Sequence, residues 1–120
     1  MKPTLLFLFL SFAAVASASS AISPLDAAKH VGETATVCGT VASSKYAAQS
    51  RKSPTFLNLD KAYPKQIFTV VIWGDARPKF SPPPESLQGA SICVTGLITL
   101  YRGRPEMVVH DPSEITARKP

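Results

Sequence analysis

The sequence predicts an all-β fold, a small barrel of short strands with one short helix before the first strand. Eleven prolines and six glycines in 120 residues argue against long helices, because proline breaks a helix interior and glycine weakens it. Val, Ile, Thr, Phe and Tyr cluster in short runs, as strands favour. The chain divides into a leader, residues 1–18, and one domain, residues 19–120, which has the usual size of a domain with a single core.

The leader has the composition of a cleavable signal peptide. Lys2 supplies a positive start, residues 5–15 are apolar apart from Ser11, and residues 16–18 are small, as a signal peptidase requires. The apolar run is shorter than the roughly 20 residues that span a bilayer, so we expect cleavage after Ala18 rather than a retained anchor. The sequence therefore predicts an exported protein, periplasmic or extracellular.

A short helix is predicted after the leader, over residues 25–32. Ser23 is the predicted N-cap, because serine is favoured there. Pro24 fits the first helical turn, and Gly32 suits the end of the helix. The residues spaced for its apolar face are Leu25, Ala28 and Val31.

Five strands follow, predicted from alternating or continuous apolar residues. Gly39 stands inside the first, where a glycine often marks a bulge or bend. The third is apolar throughout, which is typical of a strand buried on both faces. The predicted strands are residues 34–44, 55–59, 67–73, 90–100 and 107–109.

Alternation predicts which side chains of these strands face the core. In the second strand Leu57 and Leu59 share the core face, and Phe56 and Asn58 share the other. The predicted core set of the fourth strand is Ile92, Val94, Ile98 and Leu100.

Proline and glycine mark the connections. Residues 75–86 contain four prolines and are predicted to be irregular, with room for one helical turn near Glu85. Residues 101–105 form a tight basic turn in which Gly103 suits a positive φ. Residues 114–115 leave room for one more strand pairing.

This element order matches the OB-fold, a five-stranded Greek-key barrel. The bent first strand and the insertion between the third and fourth strands both belong to that pattern. The first and fourth strands are neighbours in it, and they carry the two cysteines, Cys38 and Cys93. Because paired cysteines are usual in exported proteins, we predict a disulfide between them. Both cysteines lie opposite the apolar set of their strands, so the bridge should cross the barrel wall outside the core.

Several motifs carry a resemblance to a known family. They are the runs Pro54-Thr55-Phe56-Leu57-Asn58-Leu59-Asp60, Phe68-Thr69-Val70-Val71-Ile72-Trp73-Gly74, Val94-Thr95-Gly96-Leu97-Ile98, Tyr101-Arg102-Gly103-Arg104-Pro105-Glu106-Met107-Val108-Val109 and Pro112-Ser113-Glu114-Ile115. The chain resembles small exported bacterial OB-fold proteins and the OB domains that accompany some secreted nucleases, which are labelled nucleic-acid binders of the tRNA-anticodon-like OB class. The resemblance covers residues 26–115 and implies the fold more strongly than the function, since OB domains bind single strands, oligosaccharides and proteins.

Catalytic chemistry is not predicted. The acidic residues are scattered singly, the two histidines are far apart in sequence, and neither a phosphate loop nor a nucleophile elbow is present. Two cysteines and two histidines at unrelated spacings do not form a metal ligand set. We therefore expect no enzymatic activity, no cofactor and no metal.

Binding chemistry is better provided. An OB-fold grips its ligand on the face of the second and third strands, between the first-second and fourth-fifth loops. Cations there attract phosphates and aromatic rings stack bases. The predicted ligand-binding residues are Lys45, Tyr46, Arg51, Lys52, Phe56, Asn58, Tyr101, Arg102 and Arg104.

Charge supports an anionic partner without identifying it. The chain has a formal net charge of +5, and residues 45–104 hold nine basic residues against Asp60, Asp75 and Glu85. Single-stranded nucleic acid or another polyanion is the first predicted partner. A cell-envelope protein or glycan is the alternative, and an ordinary solvated surface would also account for the charge. We expect Lys65, Arg77 and Lys79 to be surface charges and Trp73 to belong to the core.

Overall fold

A computed structural model describes residues 3–4 and 20–118. The predicted signal peptide, residues 1–18, lies outside these residues apart from Pro3 and Thr4. The described part forms six strands and four short 3₁₀ helices. The strands are β1 Thr34–Tyr46, β2 Thr55–Leu59, β3 Phe68–Ile72, β4 Ser91–Tyr101, β5 Arg104–Val108 and β6 Ile115–Arg118, and the 3₁₀ helices are η1 Leu25–Lys29, η2 Arg77–Lys79, η3 Pro84–Leu87 and η4 Pro112–Glu114.

The first five strands close into a barrel. β1 pairs antiparallel with both β2 and β4, β2 pairs with β3, and β5 pairs with β4. A parallel pairing of β3 with β5 completes the ring. The predicted OB-fold is confirmed, and β6 adds a sixth strand along the first half of β4.

The core fills the inside of this barrel. Leu57 and Leu59 of β2 are fully buried, as alternation predicts, and all five residues of β3 are buried. On β4, Ile92, Val94 and Ile98 face the core, but Leu100 is 55% exposed. Leu100 pairs with Pro105 beside the β4–β5 turn, so its predicted place in the core set is wrong.

The long strand β1 serves two parts of the barrel wall. Residues 34–40 pair with β4 and residues 41–46 pair with β2. The register irregularity lies between Val41 and Ser43, so the bulge is not at Gly39. Gly39 is needed for another reason: a Cβ there would lie 2.7 Å from Pro24 Cγ and 2.8 Å from Asp60 Oδ1.

The predicted disulfide is confirmed. Cys38 and Cys93 are directly opposed on β1 and β4, with their Cα atoms 4.0 Å apart and their sulfurs bonded. Their neighbours Val37 and Val94 are fully buried, and successive side chains of a strand point to opposite faces. The bridge therefore lies on the outer side of the barrel wall.

The short N-terminal helix exists, but its predicted apolar face is wrong. η1 is a 3₁₀ helix in which Ala27 is the buried residue, whereas Leu25 is 71% exposed and Val31 and Ala28 are also exposed. A 3₁₀ helix has three residues per turn, so a face worked out for an α-helix does not apply to it. The N-cap of η1 is Pro24 rather than Ser23, although the Ser23 Oγ accepts a hydrogen bond from the Asp26 N–H at 3.2 Å.

Candidate functional site

An open groove of about 810 Å³ crosses the outer face of the barrel over the end of β1, β2, β3 and β5. The loop between β2 and β3 and the β4–β5 turn form its sides. Six of the nine predicted ligand-binding residues line it: Lys45, Phe56, Asn58, Tyr101, Arg102 and Arg104. The fold thus brings together residues from three separate segments of the chain.

A polar row forms the floor of the groove. Ser43, Asn58, Thr69 and Glu106 occupy paired positions on β1, β2, β3 and β5. Asn58 Nδ2 donates to Ser43 Oγ at 3.0 Å, and the Thr69 hydroxyl donates to Asn58 Oδ1 at 3.3 Å. Asn58 is only 3% exposed, so its amide organises the floor and is already engaged within it.

Glu106 is the acidic residue among those that line the groove. Its side chain stands between Thr69 of β3 and Thr99 of β4, and burial raises the pKa of its carboxyl above the ordinary value. Within the described residues its carboxylate forms neither a salt bridge nor a hydrogen bond. The floor therefore contains a partly desolvated carboxylate with unused acceptor capacity.

Three cations stand above this floor. Lys45 lies on β1 opposite Phe56, Arg102 lies at the tip of the β4–β5 turn, and Arg104 begins β5. Arg104 donates to the backbone oxygen of Pro64 at 2.7 Å and so connects β5 to the β2–β3 loop. Lys45, Arg102 and Arg104 are exposed, which places positive charge at the end of β1 and along the β4–β5 side of the groove.

Aromatic rings accompany these cations. Phe56 is half-buried in the groove wall, and Tyr101 is 57% exposed. A third ring, Tyr63, was not predicted from the sequence; it is 73% exposed and lines the groove from the β2–β3 loop. The Tyr63 backbone N–H donates to Ser43 Oγ at 3.1 Å, which anchors this loop to β1. The signal that could have found Tyr63 was an aromatic residue in a loop adjoining the ligand-binding strands.

The other three predicted residues lie outside the groove lining. Arg51 is exposed in the β1–β2 loop, and Lys52 stands with its Nζ 5.8 Å from the ring centroid of Trp73. Trp73 follows β3 and is half-buried outside the core cluster, so its predicted place in the core is wrong. The ring of Tyr46 is covered by the guanidinium of Arg77, 3.5 Å from its centroid. Tyr46 thus supports the fold at this end of β1.

Arg77 is a structural residue, and its expected role as a surface charge is wrong. Besides stacking on Tyr46 it donates to Thr55 Oγ1 and to Glu85 Oε1, each at 2.8 Å. The hydrogen bond from Arg77 lowers the pKa of Glu85. A planar guanidinium can stack and donate at the same time, so Arg77 ties the insertion between β3 and β4 to the barrel.

Residues 3–4 and 20–118 contain neither a membrane-spanning helix nor a group of side chains that could bind a metal ion. In that part of the chain no helix is both long and apolar enough to cross a membrane. Nor do three or more His, Cys, Asp or Glu side chains come together there in a way that could hold a metal ion.

Comparison with known proteins supports the fold. No family model and no curated protein matches the chain. Among solved structures, a protein assigned as an aspartyl-tRNA synthetase from Leishmania major Friedlin matches 88% of this chain with a TM-score of 0.52 and 10% sequence identity. This chain spans 22% of the length of that protein. At such low identity the likeness shows a shared fold alone.

Proposed function

We propose that this domain is an exported binding module that holds single-stranded nucleic acid in the groove across β1, β2, β3 and β5, and that it has no catalytic role. The observation that carries the proposal is the pairing of Lys45, Arg102 and Arg104 with exposed aromatic rings along one groove. A single strand presents regularly spaced phosphates and unstacked bases, and this pairing offers a partner to each. The solved protein of similar fold is named for tRNA, which agrees with the proposal.

The disulfide supports the exported part of the proposal. Disulfides persist in oxidising compartments and are rare in the cytoplasm, so the bond between Cys38 and Cys93 is compatible with export. Outside the cytoplasm nucleic acid is scarcer than other polyanions. The binding test therefore includes a polyanion without bases.

Salt dependence tests this function. Labelled single-stranded oligonucleotides are titrated with the purified protein at several salt concentrations, followed by fluorescence anisotropy. Three phosphate contacts predict a slope of about −2 in a plot of log K against log salt concentration. A sulfated polysaccharide serves as the polyanion without bases, and we expect weaker binding to it because it cannot stack on Tyr63 and Tyr101.

Charge reversal tests the groove itself. Lys45→Glu and Arg102→Glu should each weaken binding at low salt and make the slope shallower by about one. Lys29→Glu is the matched control, because Lys29 is 77% exposed and lies on η1 away from the groove. Binding that ignores salt and survives both groove variants would contradict the proposal and favour the alternative, a protein- or glycan-binding accessory domain of the cell envelope. A metal-supplemented incubation tests for cleavage of the strand, which we do not expect.

A further inference from the structure

The groove floor contains two hydrogen-bond acceptors that are not in use. The Glu106 carboxylate has no partner within the described residues. Gln66 also lines the groove, and its Oε1 is buried without a hydrogen-bond partner among those residues. Asn58 and Thr69, in contrast, each donate a hydrogen bond to a neighbouring side chain of the floor.

An acceptor in this position is unfavourable for phosphate and favourable for an amino group. A carboxylate repels the negatively charged backbone of a nucleic acid, so the backbone is expected to follow the cations Lys45, Arg102 and Arg104 at the groove sides. The part of the ligand above Glu106 is then the edge of a base. The N4 amino group of cytosine donates to a carboxylate, whereas uracil and thymine present a carbonyl oxygen at the same place.

We propose that this groove selects bases that carry an amino group on their edge, and that Glu106 makes it bind oligodeoxycytidine more tightly than oligodeoxyuridine. The proposal rests on the proposed function, since it concerns which single strand the groove prefers. Cytosine and uracil are similar in size and stack similarly on Tyr63 and Tyr101, so stacking does not discriminate between them. Discrimination comes from the floor, because a partly buried acceptor that faces another acceptor loses its hydrogen bond to water without replacement.

The experiment compares labelled ten-residue oligodeoxycytidine and oligodeoxyuridine on the purified protein at neutral pH. These strands have the same backbone charge, and their bases differ only in the amino or carbonyl group at position 4 and in the proton on N3. We expect oligodeoxycytidine to bind about tenfold more tightly. The ratio should stay constant as salt concentration changes, because both strands make the same phosphate contacts.

A matched pair of variants assigns the preference to Glu106. Glu106→Gln keeps the side-chain size but offers both a donor and an acceptor, so the ratio should fall towards one while the affinity for oligodeoxyuridine rises. Glu33→Gln makes the same change of charge at an exposed glutamate that does not line the groove, and it should keep the tenfold ratio.

The outcomes separate this inference from the proposed function. Equal, strongly salt-dependent binding of both strands would overturn the base preference and leave the nucleic-acid function standing. A tenfold preference that Glu106→Gln does not change would overturn the role of Glu106. If neither strand binds, the proposed function fails, and the base preference fails with it.

Discussion

Arg102 holds a backbone conformation that its side chain does not favour. Its φ is 51° and that of Gly103 is 77°, and a two-residue hairpin turn with both φ values positive is of type I′. Glycine adopts this conformation freely, whereas most other residues are strained in it. Asparagine tolerates it best among non-glycine residues. We therefore expect Arg102 to contribute to ligand binding rather than to the stability of the turn.

Replacing Arg102 by asparagine should separate the two effects. Asn-Gly is the preferred pair for this turn, so Arg102→Asn should raise the free energy of unfolding by about 0.5 kcal/mol. The same variant should weaken binding to single strands, because one cation leaves the groove. Urea unfolding measures the first effect and anisotropy the second. A variant that is both less stable and unchanged in binding would contradict this interpretation of Arg102.

We expect Glu106 to make the free energy of unfolding depend on pH. Its pKa is raised in the folded protein from an ordinary value of 4.5, so the folded state holds its proton to higher pH than the unfolded state does. Below about pH 4.5 the carboxyl is protonated in both states, so it does not lower the free energy of unfolding. As the pH rises through the raised pKa, the buried carboxyl ionises and the free energy of unfolding falls. Arg104 lies on the same face of β5 but donates to Pro64 rather than to this carboxylate.

The variant Glu106→Gln should therefore be more stable than the unchanged protein at pH 7 and equally stable at pH 4. Gln cannot ionise, so it avoids the cost of burying a charge. Thermal unfolding at a series of pH values measures the difference between the two proteins. Asp75→Asn, at an exposed position, is the control and should show no such pH-dependent gain. A stability difference that grows as the pH falls would contradict a raised pKa for Glu106.

The disulfide acts at the scale of elements, because it joins β1 to β4 across the barrel wall. Seven residue pairs already connect these strands in register, so the bond reinforces a pairing that backbone hydrogen bonds also hold. Its main effect is expected in the unfolded chain, where it closes a loop between positions 55 apart in sequence. In the chain-entropy view such a loop is worth about 4 kcal/mol.

Replacing both cysteines by alanine should lower the free energy of unfolding by about 4 kcal/mol. This is a large share of the roughly 5–15 kcal/mol that stabilises a typical domain, so the variant should unfold at a much lower urea concentration. Urea titration of the variant, beside the oxidised protein and the reduced protein, measures the loss. Unfolding midpoints that agree among all three would show that the bond contributes nothing.

Elements defined by regular patterns were predictable, and contacts between distant segments were not. Alternating and continuous apolar runs located all five barrel strands, although the fifth begins at Arg104 rather than at Met107. The expectation of export paired Cys38 with Cys93. Tyr63 was missed because its position depends on the β2–β3 loop folding back onto Ser43, and no local pattern records that contact. Arg77 was misjudged for the same reason, since its partners Tyr46 and Glu85 lie on other segments of the chain.

The candidate groove shows the same division. Six of its predicted residues followed from the OB topology, which specifies the strands and loops that face the ligand. Tyr46 belongs to the end of β1, where a side chain faces either the groove or the insertion, and sequence alone does not distinguish the two. Glu106 was not predicted as a site residue, because a single carboxylate does not stand out in the sequence. Its place in the groove depends on its position beside Thr69 and Thr99.

At the scale of the whole molecule, export and the disulfide together form one prediction. If residues 1–18 are a signal peptide, the protein made in a Gram-negative bacterium should be recovered outside the cytoplasm with Ser19 as its first residue. In that oxidising compartment Cys38 and Cys93 should be joined, so that no free thiol reacts under denaturing conditions. Intact-mass measurement and thiol labelling check the two parts independently.

Variants of the leader make the order of events testable. Ala18→Phe should block cleavage, because the peptidase pocket accepts only small side chains, whereas Ala13→Val leaves the cleavage point unchanged and is the control. The uncleaved variant should still acquire the disulfide if its domain reaches the oxidising side of the membrane, since Cys38 and Cys93 belong to the domain and not to the leader. A protein recovered from the cytoplasm with residues 1–18 attached and both thiols free would contradict export, and the groove would then meet the nucleic acids of the cell interior instead. In that case the barrel would lack the roughly 4 kcal/mol expected from the disulfide. Urea unfolding of the reduced protein measures the stability that remains.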